Sequence, residues 1–172
     1  MAAASHLAKR FVVSLWPLGP NATDDEWARS HLLKGEEQLW NRMSNQDRRH
    51  SIGVAQRVEA DLGPKALRPV MAAALLHDVG KIEANLGTWF RVVATVSAKI
   101  AGRETAELWV KSVGITRRIG LYLKHPSIGG DLLAMADSDP FTATWAREHH
   151  HPPESCSLDT ELARALRDAD DD

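Results

Sequence analysis

The chain has 172 residues, of which 44% are hydrophobic and 26% charged, with a formal net charge of -2; that is enough to bury one real core with no covalent staple. A near-neutral charge and the lack of a long basic run exclude a nucleic-acid footprint. The only cysteine, Cys156, excludes an internal disulfide and fits a reducing compartment.

In chain order, Phe11 to Leu15 follow Lys9 and Arg10 like a shortened signal peptide, but Pro17 breaks the run. No apolar stretch approaches the roughly 20 residues that span a bilayer, since Leu86 to Ile100 carries Arg91 and Lys99. The chain therefore reads as cytoplasmic. Residues 1–22, with Pro17, Gly19 and Pro20, are expected to form an irregular N-terminal arm, and residues 23–172 a single helical domain.

Thr23-Asp24-Asp25-Glu26 has the form of a capping box, so a helix is expected from Thr23 with Trp27, Leu32 and Leu33 on its inner side. Gly35 interrupts it before a second piece through Leu39 and Trp40. Ser44, with Asp47 three residues on, opens a further helix whose apolar positions Ile52, Val54, Ala55, Val58 and Leu62 recur at helical spacing; Gly63-Pro64 ends it. His50 lies early in this helix, two and four positions before Ile52 and Val54, and can face the same interior.

The run Val70 to Leu76 is apolar nearly all round, which predicts a buried helix. It delivers His77-Asp78-Val79-Gly80-Lys81 into the interior. Neighbours on a helix sit about 100° apart, so an imidazole and a carboxylate in adjacent positions reach one ion only where the helix bends or stops, and Gly80 is expected to supply that stop. A buried carboxylate needs a partner, and a metal ion is one of the few that suffices.

Beyond Lys81, the spacing of Leu86, Trp89, Phe90, Val93, Val96 and Ile100 describes an amphipathic helix. Gly102 and Gly114 punctuate two further helical pieces, the second from Thr116 to Lys124. His125-Pro126 starts another, with Ile128, Leu132, Leu133 and Met135 as its apolar side. Asp139-Pro140 starts a helix through Phe141 and Trp145 that ends in His149-His150-His151, closed by Pro152-Pro153. After a loop to Ser157, that serine is expected to cap the last helix, with Leu158, Leu162, Ala165 and Leu166 as its packing stripe. No stretch alternates as a strand does. The fold is expected to be all α.

His50, His77, Asp78, His125, His149, His150 and Asp170 thus lie at helix ends or on apolar faces. Singly each has a plainer use: a cap, a core histidine, a solvated tract. Together, imidazoles and carboxylates favour divalent transition metals, and seven ligands exceed what one ion takes when it keeps water, so two ions are expected.

The ordered segments Arg49-His50-Ser51, His77-Asp78-Val79-Gly80-Lys81, His125-Pro126-Ser127-Ile128-Gly129, His149-His150 and Ala169-Asp170 resemble the HD-domain superfamily of metal-dependent phosphohydrolases from about His50 onward. The His-Pro and His-His segments are most similar to its HD-GYP branch. The resemblance implies a helical bundle in which His50, His77, Asp78 and Asp170 hold one ion, His125, His149 and His150 complete the second site, and Asp78 bridges. It also implies that Lys81 contacts phosphate, so Asp78 and Lys81 are the expected catalytic pair. The ions implied are Fe or Mn, with Zn, Co or Ni compatible, and the expected substrate is a small phosphomonoester or phosphodiester, nucleotide-like, attacked by a hydroxide between the ions. His151-Pro152-Pro153-Glu154 stands where that branch has a glutamate and then Gly-Tyr-Pro, which removes the ground for cyclic-dinucleotide hydrolysis. The final acidic run offers Asp168 or Asp170, and the Ala-Asp pattern selects Asp170. A catalytically silent HD-fold sensor or scaffold, and a related di-iron enzyme that uses oxygen, remain open.

Overall fold

A computed structural model describes residues 19–86 and 103–171. The apolar patch near Phe11, most of the N-terminal arm and the amphipathic stretch from Trp89 to Ile100 lie outside the described residues. All regular structure among the described residues is helical, with no strand, so the fold class is all α.

Helix α1 (Ala22–Ser30) starts earlier than the Thr23 box predicts, because Asn21 is its cap: the Asn21 side chain accepts from the Asp24 amide at 2.8 Å. The reciprocal glutamate is found instead at α2 (Lys34–Arg42), where the Leu33 amide donates to the Glu36 carboxylate at 2.7 Å. Glu36 is fully buried and also accepts from Arg68 and from the Ser138 hydroxyl, so one side chain joins three segments. Leu33, expected inside, is 37% exposed, because it precedes α2 as its cap.

Ser44 caps α3 (Asn45–Leu62), accepting from the Asp47 amide at 3.1 Å, and the predicted stripe Ile52, Val54, Ala55, Val58 and Leu62 is buried. The helix ends at Gly63, whose φ of 50° lies in the left-handed region that suits glycine. A 3-10 turn (Gly63–Lys65) leads to α4 (Arg68–Leu76), which has proline in its first turn. Every residue from Val70 to Gly80 is buried. This central rod packs against α3 on one side and α9 (Pro140–Glu148) on the other. The Thr142 hydroxyl of α9 donates to the Pro69 carbonyl at 3.0 Å, pinning the start of α4.

After α4 come α5 (Lys81–Ala84), α6 (Arg103–Val110) and α7 (Gly114–Leu123), the last beginning two residues before the expected Thr116. Then α8 (His125–Met135) packs along α9, and α10 (Thr160–Asp171) along α3. Leu133 is the fully buried residue of α8, whereas Met135, expected on the same side, is 75% exposed at its last turn. The cap of α10 is Asp159, whose carboxylate accepts from the Glu161 and Leu162 amides at 3.0 and 3.2 Å. Ser157, predicted in that role, bonds the Glu148 carboxylate instead, because the 3-10 turn Pro153–Ser155 folds the loop back onto α9. No helix among the described residues is long and apolar enough to cross a membrane.

The bend that releases His77 and Asp78 comes before Gly80. Helix α4 closes at Leu76 with His77 as its C-cap, and Gly80 has an ordinary right-handed φ of -62°. Its need is steric. A Cβ at Gly80 would lie 2.0 Å from the His125 carbonyl oxygen and 2.6 Å from the Gly129 amide nitrogen. The bare backbone thus lets the first turn of α8 press against the turn after α4, which carries His125 to Asp78. Gly80→Ala is expected to cost about 1–3 kcal/mol as overpacking and to push His125 off the site. Urea unfolding checks the first part; an unchanged midpoint contradicts the close approach.

Candidate metal centre

Each candidate side chain leaves a helix end or a buried helix face. His50 comes from α3, His77 and Asp78 from the turn closing α4, His125 from the first turn of α8, His149 and His150 from the end of α9, and Asp170 from the last turn of α10. The structure brings all seven together. The ligating atoms of His50, His77 and Asp78 lie within 4.8 Å of one another, as do those of His125, His149 and His150, and either group can hold a metal ion. The rings form a continuous row, with centroids 5.5 Å apart for His50 and His77, 5.4 Å for His77 and His149, and 4.0 Å for His149 and His150.

Asp78, 4% exposed, stands between the groups. Its Oδ2 faces His77 Nε2 at 3.4 Å and takes the Lys81 ammonium, while its Oδ1 faces His125 Nε2 at 3.3 Å and His149 Nε2 at 3.8 Å. Asp170 Oδ1 meets His50 Nε2 at 2.9 Å and His77 Nε2 at 3.6 Å. Of the two aspartates the sequence offered, Asp170 is therefore the one in the cluster, and Asp168 is exposed.

Three of the imidazoles are aimed by one device. His77 Nδ1 lies 2.9 Å from the Ala74 carbonyl, His125 Nδ1 2.7 Å from that of Tyr122, and His149 Nδ1 2.9 Å from that of Ala146. A carbonyl only accepts, so Nδ1 carries the proton and the neutral ring turns its Nε2 lone pair inward. All three Nε2 atoms are buried, and beyond their approach to the Asp78 carboxylate none has a hydrogen-bond partner among the described residues. Burial without a partner is costly for such an atom. A cation at each group would satisfy them, His77 at one and His125 with His149 at the other, and the donor set of imidazoles with carboxylates suits divalent transition ions.

The charges interlock. Burial opposes ionisation of Asp78, yet Lys81 and His77 hold its carboxyl far below the usual carboxylate range. Burial also opposes the Lys81 ammonium, and Asp78, Tyr122 and Asp47 overcome it and raise its pKa. For His77 burial again works downward, but Asp78 and Asp170 win and lift it to about 9. The Asp170 carboxyl is driven down by His77 and His50 despite its burial. On the other side, burial, and then repulsion from the protonated forms of His77 and His150, push His149 far down, and burial with His125 brings His150 to about 4. The centre therefore sets the carboxylates of Asp78 and Asp170 beside His149 and His150, which are held neutral, the state in which imidazole ligates.

Sequence reading did not find the groups that fix this arrangement. Arg57 donates to the Ala169 carbonyl at 2.9 Å and Arg167 to the His149 carbonyl, and the Tyr122 ring lies 5.8 Å from Lys81 Nζ and 5.7 Å from the His125 ring. Only the position of Arg167, three residues before Asp170, was a signal. Compared with family models, with curated proteins and with solved structures, the chain matches none.

The shifts set a pH profile for the protein kept in chelator. Below the ordinary histidine value of 6.5, the unfolded chain takes protons at residues 149 and 150 that the folded chain refuses, so stability falls as pH drops toward 4. Above 6.5, the folded chain keeps on His77 a proton that the unfolded chain releases, so that contribution is lost as pH rises through 9. Urea midpoints in EDTA are expected to peak near the histidine value, about pH 6.5, and a midpoint that climbs steadily up to pH 9 contradicts the assignment.

Proposed function

We propose that the chain is a metal-dependent phosphohydrolase of the HD-domain type. It acts on a small phosphomonoester or phosphodiester, nucleotide-like in character, and its cofactors are two divalent transition ions, Fe or Mn first, with Zn, Co or Ni compatible. The observation that carries this reading is the convergence of three buried, partnerless Nε2 atoms on the Asp78 carboxylate. We assign His50, His77, Asp78 and Asp170 to one ion and His125, His149 and His150, with Asp78 shared, to the other. The lone cysteine supports a reducing, cytoplasmic location.

Divalent ions in these positions supply Lewis acidity, lowering the pKa of water until a nucleophile exists at neutral pH and drawing charge from phosphoryl oxygens. The chain's own groups do the rest. Asp78 directs one oxygen to each group, a disposition suited to a bridge. Lys81 keeps a single positive charge against Asp78 with 16% of its side chain exposed, so it is placed to meet a phosphate beside the centre without leaving the carboxylate's field. As a point charge it stabilises the extra negative charge of a pentavalent phosphorus. The carbonyls behind His77, His125 and His149 keep the rings from turning when charge shifts in front of them.

Elemental analysis of protein prepared without added metal, then loaded with Mn or Fe free of air, is expected to give about two ions per chain. Hydrolysis of p-nitrophenyl phosphate or its bis ester is expected to need those ions, to stop with chelator, and to be lost with the metal in Asp78→Asn. Retained metal without turnover of any phosphoester favours the scaffold reading, and an intense visible change on exposure to oxygen favours the oxygenase.

His125→Ala separates one ion from two. Metal content is expected to fall by about half and the rate by roughly a hundredfold or more, since one of two Lewis acids is gone. Circular dichroism is expected to stay helical. Unchanged metal content with near-normal turnover reduces the site to one ion.

A further inference from the structure

The peptide between His149 and His150 carries two ligands of one group. Side chains of neighbouring residues in a continuous helix diverge by about 100°, so these two converge only because α9 stops at Glu148 and His149, with φ -59° and ψ -15°, is its C-cap. The last carbonyls of a helix have no partner along the helix and leave the final peptide free to tilt. Here the His149 carbonyl does have one. The Arg167 guanidinium donates to it from α10, while the Arg167 Nε faces Asp171 Oδ2 at 3.3 Å. On α10 itself, the Ala169 carbonyl takes Arg57 Nε from α3 at 2.9 Å.

Each guanidinium thus grips the carbonyl of a peptide whose following residue is a ligand, His150 in one case and Asp170 in the other. Arg167 also sits three residues from Asp170, about one turn of the same helix. Both bonds cross between elements beside the centre: α10 to α9 through Arg167, and α3 to α10 through Arg57, the latter next to the His50–Asp170 contact. We infer that Arg167, with Arg57 opposite it, is a positioning residue that sets the plane of the His149–His150 peptide and so the angle at which those two imidazoles meet one ion. This rests on the metal reading above. A fixed peptide plane matters because ligand orientation, and not donor identity alone, sets affinity; loss of an outer support of this kind typically weakens metal binding about 10–100-fold.

The test is chelator-competition titration with Zn and with Mn on the full chain, together with melting curves with and without metal, for wild type, Arg167→Met, Arg167→Lys and the control Arg164→Met. Arg164 is on the same helix and, among the described residues, pairs with the exposed Glu154. Arg167→Met is expected to weaken one of the two ions at least tenfold and to shrink the metal-induced rise in Tm, since less binding to the folded state gives less stabilisation. Arg167→Lys, which keeps one donor, is expected to recover part of both, and Arg164→Met to change neither. An Arg167→Met protein whose chelated Tm falls while its metal affinity equals that of wild type overturns the proposal and makes Arg167 a structural tie only. If Arg167→Met does not fold, wild-type affinity in Arg167→Lys overturns it equally. Wild type that takes up neither metal overturns the reading of the site itself, an outcome visible before any variant is compared.

Discussion

Asp78 puts a negative charge at the end of a rod in which every residue from Val70 onward is buried. Left alone in hydrocarbon, that charge would cost more than a domain of this size has in total stability. The chain answers with positive and polar groups from four places: His77 beside it, Lys81 one turn on, His125 from α8 and His149 from α9. The order of the helices follows. α4 must be central because it carries the carboxylate, and α3, α8, α9 and α10 are arranged so that each presents a polar terminus or face toward it.

Two kinds of constraint produce the cluster, and they act at different ranges. The aim of each buried imidazole is local, set by a carbonyl three residues back in its own segment. The distance between imidazoles is tertiary. His125 approaches Asp78 because Gly80 and Gly129 let two backbones touch, and α10 reaches the site because Arg57 and Arg167 bind carbonyls on either side of it. Local aim without tertiary approach would leave scattered core histidines, and approach without aim would bring together rings facing the wrong way.

This division also sets what could be read from the sequence. The all-α class, the buried rod at residues 70–76 and the Ser44 and Asp139 caps follow from periodicity and capping chemistry, which are short-range. Asp170 was reachable only through the Ala-Asp pattern of a resemblance, since periodicity treats Asp168 and Asp170 alike. Gly80 was found for the wrong reason: its place in the motif suggested a helix stop, whereas its backbone is ordinary and its small size is what matters. The caps at Asn21 and Asp159 displaced Thr23 and Ser157 because a polar residue two positions away had the better reach. Arg57 gave no sign, and Arg167 none beyond its spacing from Asp170, because a guanidinium that binds a distant carbonyl looks in sequence like any solvated helix residue.

The bond between His50 and Asp170 joins residues 120 positions apart. Closing so long a loop costs entropy that only the assembled core repays, so this contact belongs among the last to form as the chain folds. His77 and Asp78 come together at once and cheaply; the remaining carboxylate arrives with the final helix. A partly folded chain therefore presents at most a fragment of the candidate ligand set, one that would hold a cation loosely and without geometric preference. Tight binding of any ion there would then be a property of the finished topology, open only to molecules whose last helix has docked.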